Sequence, residues 1–249
     1  MKGSDFLKLT VLGCRGAYPN KDEGCSGYLF QKDGVNLLID CGSGVVSSLQ
    51  NYIELGELDS IILSHYHADH FSDISVLQHG VMIDSIINKT NKNLPIYGHQ
   101  EDGLFTNLSY KTYTTGKTYQ ENSQLKLGPF KVSFLKTKHS VPCYAVQINS
   151  RDKKVVYTAD TAYFEELVSF SQNADILLAE SSLYPDYDGQ KMGHMNSTDT
   201  ANLAKNAGVK KLLLTHLPNY GDNGELLEDA EKYFKGEVYL LKSGWQEEL

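Results

Sequence analysis

No run of apolar residues approaches the roughly 20 that a membrane-spanning helix needs, so no membrane association is expected. Cysteine is scarce, and Cys14, Cys25, Cys41 and Cys143 form no Cys-x-x-Cys pair. Met1-Lys2-Gly3-Ser4-Asp5 leads into Phe6-Leu7-Lys8-Leu9-Thr10-Val11-Leu12. That run contains a lysine and no small-residue cleavage site follows it, so it reads as a first strand rather than a signal peptide. The thiols are then expected free, in a reducing cytoplasm. A basic stripe is also missing. Lys and Arg number 23 against 31 Asp and Glu, a formal net charge of −8. Proteins that grip long nucleic acids draw their energy from phosphate neutralisation, so that class is disfavoured. No Pro/Gly/Ser-rich linker, low-complexity tract or fixed-period repeat divides the chain, and a single domain over 1–249 is the simplest reading.

The chain does contain short apolar runs rich in branched residues, at 6–12, 27–31, 35–39, 60–63, 130–135, 143–148, 154–158, 176–179, 211–214 and 238–241. They read as strands. Helices are expected at 43–55, 69–83, 161–170, 197–207 and 225–234. Ser197, Thr198 and Asp199 form the N-cap region of the fourth, and Gly208 stops it. Lys32-Asp33-Gly34 is a turn. Strands joined by hairpins come first, and strands alternating with helices follow. This pattern suits two packed sheets with helices outside, a layered α/β fold. Polar residues with a chemical role then belong in loops at one sheet edge.

His65, His67, Asp69 and His70 crowd into the segment Ser64-His65-Tyr66-His67-Ala68-Asp69-His70. It follows the strand at 60–63 and enters the helix at 69. Residues 65 and 67 face one way if the chain is still extended, and Asp69 and His70 come from the turn. Imidazole nitrogen with carboxylate oxygen is a ligand set for zinc, with manganese or iron as alternatives.

Ser-His-x-His-x-Asp-His after an apolar strand resembles the signature of the metallo-β-lactamase fold superfamily. Further matches follow in order at strand ends. They are His139 in Lys138-His139-Ser140, Asp160 in Tyr157-Thr158-Ala159-Asp160-Thr161, and His216 after Leu212-Leu213-Leu214-Thr215. Upstream, Leu38-Ile39-Asp40-Cys41-Gly42 resembles the family's first motif, whose aspartate supports the metal loop. The resemblance implies a four-layer αββα sandwich and two divalent ions, zinc ahead of manganese or iron. His65, His67 and His139 would hold one ion, and Asp69, His70 and His216 the other. Asp160 would bridge them, leaving an open position for a water or hydroxide.

Ile176-Leu177-Leu178-Ala179-Glu180-Ser181-Ser182 and Gly193-His194-Met195-Asn196-Ser197-Thr198 resemble motifs of the ribonuclease Z-like, phosphodiesterase branch, the second with two residues inserted between His and Ser. By that resemblance Glu180 orients His194, His194 protonates the leaving oxygen, and catalysis falls to Asp69, Glu180 and His194. Only residues 140–159 separate His139 from Asp160, whereas ribonuclease Z carries a long arm for transfer RNA at that place. The missing arm and the acidic charge favour a small phosphodiester or cyclic nucleotide over structured RNA. Hydrolysis of a thioester, lactone or other carboxylic ester on the same site is the alternative, and a non-catalytic metal- or nucleotide-binding module a third reading. Family analogy allows a homodimer. His79 and His99 match no motif, and His79, ten residues into the expected helix, reads as a surface or packing residue.

Overall fold

The computed structural model describes residues 6–249, so the expectation about residues 1–5 lies outside the described residues. The chain forms two compact units. One runs to Gln120 and takes in Leu127–Pro129 and Lys242–Leu249; the other comprises Glu121–Lys126 and Phe130–Leu241. Among the described residues no helix is long and apolar enough to cross a membrane.

The first unit is organised on a sheet of β1 (Lys8–Arg15), β2 (Gly24–Cys25), β3 (Gly27–Lys32), β4 (Val35–Ile39), β5 (Ser60–Ile62), β6 (Leu94–Gly98), β7 (Thr114–Thr118) and β15 (Gln246–Glu248). Their order is β15-β1-β3-β4-β5-β6-β7, with β2 on β1. The β1–β3–β4 meander is antiparallel, and its second turn holds Asp33 at φ 51 and Gly34 at φ 79. Left-handed conformation at both turn residues matches the right-handed twist of the flanking strands. From β4 onward pairing is parallel, so the β5 segment delivers its C-terminal end to the same edge as that of β4.

Helices α1 (Val45–Leu49) and α3 (Ile74–Asn88) bury Val45, Leu49, Leu77 and Val81 in a cluster with Leu38, Ile61 and Ile96 of the sheet. Burying each such side chain contributes roughly 1.5–3 kcal/mol. The helix expected over 69–83 is two pieces, α2 (Ala68–Phe71) and α3. Asp73 separates them because its carboxylate accepts from the amide of Val46 at the start of α1. Burial pushes Asp73 up, and the amides of Val46, Gly44 and Val45 pull against that rise.

The second unit holds β8 (Gln124–Leu127), β9 (Phe130–Lys136), β10 (Tyr144–Ser150), β11 (Lys153–Tyr157), β12 (Ile176–Glu180), β13 (Lys211–Thr215) and β14 (Glu237–Leu240), paired in reverse numerical order. The link between His139 and Asp160 is the β10–β11 hairpin and its turn. Strands β11 to β14 are parallel. Their crossovers carry α4 (Glu165–Ser171), α5 (Gly189–Met192), α6 (Ser197–Ala207) and α7 (Asn223–Tyr233). All residues of β12 are buried, as a parallel central strand covered on both faces requires.

Asn196, not Ser197, caps α6: its side chain accepts from the amide of Asp199, while Ser197 and Thr198 donate their hydroxyls to Asp229 on α7. A left-handed Gly208 ends α6, as expected. Before β12, Asp175 accepts from the Lys154 amide at 2.8 Å and from Lys210 Nζ at 2.7 Å. Burial would raise this carboxyl, but the Lys210 hydrogen bond and charge, with the Lys154 amide, hold it below its ordinary value. A depressed folded pKa stabilises above the unfolded value of about 3.9, and that contribution is lost as pH falls through the folded value. Asp175→Asn is therefore expected to cost about 1 kcal/mol at pH 7, Lys210 being largely exposed. The gap should shrink below about pH 4, which urea midpoints at pH 7, 5 and 3.5 would show.

Candidate active site

In the first unit the segment after β5 turns immediately into α2. Asp40, which follows β4, takes a left-handed φ of 57, and its carboxylate turns inward to the His loop. It is fully buried. Its Oδ1 accepts from the Ser64 amide at 2.7 Å, and Oδ2 accepts from the Ser64 hydroxyl at 2.8 Å and lies 2.8 Å from His70 Nδ1. Ser64 Oγ lies 3.1 Å from His65 Nδ1. One carboxylate thus orients His70 directly and His65 through a serine. The hydroxyl proton is committed to Asp40, so the oxygen accepts from His65 Nδ1–H. Both rings then carry their proton on Nδ1 and present an Nε2 lone pair.

The rings of His65 and His67 lie 4.8 Å apart between centroids, and those of His65 and His70 lie 4.2 Å apart. Asp69 Oδ2 accepts from the amide of Ala17 at 2.6 Å and lies 3.6 Å from His70 Nε2. Gly42 permits this turn: a Cβ there would collide with the Asp69 carbonyl. Burial, then the charge of Asp69, pushes Cys25 up to about 12, and burial first pushes Cys41 well above its usual range. None of the four cysteines forms a disulfide, and all are buried.

The second unit repeats the device. Glu180 closes β12, fully buried. Its Oε1 accepts from the Thr161 amide at 2.7 Å and lies 2.9 Å from His194 Nδ1. Its Oε2 accepts from the Ser182 hydroxyl, whose oxygen lies 2.7 Å from His216 Nδ1. Again one buried carboxylate orients one imidazole directly and another through a serine. His139 Nδ1 donates to the carbonyl of Gly193 at 2.9 Å.

The Nε2 atoms of His139 and His216 lie 3.8 and 3.4 Å from Oδ2 and Oδ1 of Asp160. Such separations exceed a good hydrogen bond. They suit neighbouring ligands of one ion: atoms each about 2.0–2.1 Å from a tetrahedral zinc lie roughly 3.3 Å apart or slightly more. Ala159 and His216 hold φ values of 50 and 51, and strained backbone of this kind concentrates at functional sites. Glu180, His194 and His216 also form a carboxylate–imidazole cluster. Because both Glu180 oxygens already accept hydrogen bonds, the Glu180–His194 contact reads as an oriented acid–base pair.

The expected site residues therefore gather within each unit: His65, His67, Asp69 and His70 in the first, and His139, Asp160, Glu180, His194 and His216 in the second. Of the two residues inserted in the His194 loop, Met195 is buried and Asn196 is the α6 cap. Sequence reasoning missed Ser64 and Ser182 as relays. Both adjoin the motifs, but a serine's role depends on which carboxylate and ring its hydroxyl meets. His79 is exposed on α3, bonded to Ser75 of its own helix. His99 is buried against Tyr66.

A family model described as a beta-lactamase superfamily domain matches residues 35–217. The probable metallo-hydrolase YhfI of Bacillus subtilis (strain 168) is 47% identical over 240 residues, spanning 96% of this chain and 98% of that protein. The crystal structure of YhfI, a metallo-beta-lactamase fold protein, matches with a TM-score of 0.97 over 98% of this chain and 100% of the other. Ribonuclease Z of Saccharolobus solfataricus is 25% identical over 280 residues, spanning 92% of this chain and 95% of its own. A diphosphatase of the PhnP family, 17% identical, shares the fold with a TM-score of 0.78 over 98% of each chain.

Proposed function

The chain belongs to the metallo-β-lactamase superfamily, and from that premise we propose that it is a metal-dependent hydrolase of a small phosphodiester, acting as one catalytic domain over 1–249. His65, His67 and His139 would hold one divalent ion, Asp69, His70 and His216 a second, and Asp160 both. The Nδ1 hydrogen bonds of His65, His70, His139 and His216 support this set, because they leave Nε2 as the ligating atom. Imidazole and carboxylate donors fit zinc, with manganese or iron as alternatives. When bound, the ions supply Lewis-acid polarisation and activation of water at neutral pH.

The observation that carries the phosphodiester reading is the Glu180–His194 pair. As the acid His194 would carry both ring protons: Nδ1–H donates to Glu180 at 2.9 Å, and Nε2–H is the proton offered to the reacting group. An alkoxide is a poor leaving group and needs a proton as its bond to phosphorus breaks. In this reading water adds to phosphorus, the phosphorus–oxygen bond breaks, and the leaving oxygen takes its proton from His194 Nε2. The products are a phosphomonoester and an alcohol. A thiolate leaves without such help, so a thioester would make little use of this pair.

Metal analysis with turnover of bis(p-nitrophenyl) phosphate tests the reading. Chelation is expected to abolish turnover, and zinc or manganese to restore it. A folded, metal-loaded protein that leaves phosphodiesters intact would overturn it.

A further inference from the structure

Beyond the C-terminal ends of β12 and β13 the second unit opens into a cavity of about 600 Å³. Tyr184, Tyr187 and Tyr220 line it. The rings of Tyr184 and Tyr220 lie 5.7 Å apart. Tyr184 is fixed: its hydroxyl donates to the Tyr220 carbonyl at 2.9 Å, and a Cβ on Gly221 would collide with its ring. Tyr187 and Tyr220 are 45% and 50% exposed, so two large rings stand in water around a concave site. Burial, then Tyr187, pushes the Tyr220 phenol up, and the ring presents a neutral π face at neutral pH.

The charged part of the lining is mostly acidic. Asp186, Glu225 and Glu228 border the cavity. Its cation, Lys232, lies 3.5 Å from Asp229. The positive end of α7 is already engaged, because the Asp222 side chain accepts from the Gly224 amide. Aromatic faces with surrounding carboxylates attract an organic ammonium group, which uses the ring quadrupole and the negative potential together. A phosphate would meet repulsion here, and a bare metal ion would gain little from the rings.

The cavity grows out of the loops that carry the candidate chemistry. Tyr184 is two residues past Ser182, and Tyr220 four past His216. At no more than about 3.6 Å per residue, they lie within roughly 7 and 14 Å along the chain. The Leu183 carbonyl accepts from the Ser197 amide, tying this loop to that of His194. We propose that this cavity is a subsite for a quaternary or protonated amine, and that the substrate is a zwitterionic phosphodiester carrying the cation on a short arm. The substrate half rests on the phosphodiesterase reading; the cation site does not.

Choline is the probe. Titrated into the metal-free protein and followed by NMR, it should bind saturably, and at least tenfold more weakly to Tyr187→Ala/Tyr220→Ala and to Glu225→Gln. These side chains are exposed, and circular dichroism would verify the fold. With metals restored, kcat/KM for p-nitrophenyl phosphocholine should exceed that for methyl p-nitrophenyl phosphate at least tenfold. The ratio should collapse towards one in the double variant, through KM. Absent choline binding, binding indifferent to the variants, or tighter binding of adenosine at the same rings would overturn the cation site. A ratio of one in the unmodified enzyme would overturn the substrate assignment. Choline binding without turnover of either diester would leave the subsite standing and remove the phosphodiesterase reading.

Discussion

His194→Ala should lower kcat on an alkyl phosphodiester by about 10²- to 10⁴-fold, the usual worth of a positioned acid, and much less on a p-nitrophenyl ester. The contrast comes from the leaving group. An alkoxide must be protonated as it departs, whereas p-nitrophenolate is stable in water. Glu180→Gln should show the same dependence, because His194 Nδ1 would lose its charged acceptor at 2.9 Å. It should also disturb His216, which shares that carboxylate through Ser182. Ser182→Ala separates the two roles: it breaks only the His216 branch and should weaken metal retention without leaving-group dependence. Rates for a matched alkyl and aryl pair would decide the matter. Equal losses on both would make His194 a binding or structural residue, and efficient turnover of a thioester by His194→Ala would favour the carboxylic ester alternative.

Asp40→Ala is expected to weaken metal affinity about 10- to 100-fold, the scale seen when a ligand's orienting partner is lost. It should also destabilise the metal-free protein. The Ser64 amide, the Ser64 hydroxyl and His70 Nδ1 all bond to this buried carboxylate, and each buried group left without a partner costs about 1–3 kcal/mol. The left-handed φ of 57 adds to the loss, since aspartate and asparagine tolerate that region better than alanine. Asp40→Asn keeps shape and backbone preference, so it should recover most of the stability and less of the affinity. Chelator competition and urea midpoints measure the two quantities. Wild-type metal affinity in Asp40→Ala would remove the orienting role.

The strongest sequence signals were those written in local pattern. The central strands, α6 and the turn at Lys32-Asp33-Gly34 follow from apolar runs, helical spacing and turn residues. The family motifs matched the segments that the structure gathers within each unit. The elements that escaped reading owe their conformation to neighbours. Strand β7, Thr114-Thr115-Gly116-Lys117-Thr118, is polar and gains its ladder from β6, which itself carries Pro95. Strands β8 and β15 are edges with weak alternation. The split between α2 and α3 was hidden because Asp73 is spent on the amides of a different helix. The relay serines were hidden for the same reason: their meaning lies in a carboxylate distant along the chain, 24 positions away for Ser64.

The parallel, in-register pairing of β11, β12 and β13 also decides where this protein tolerates changes of length. Leu178 pairs with both Tyr157 and Leu213, and Glu180 with Thr215. Deleting one residue inside β12 would turn Glu180 to the opposite face. His194 and the Ser182 relay would lose their common anchor, although every residue type remained in the sequence. Insertions at Pro185 or Tyr220, past the strand ends, meet no such penalty. Natural variation in loop length should therefore collect on that rim, where a new substrate can be accommodated while the spacing of the residues beneath it stays fixed.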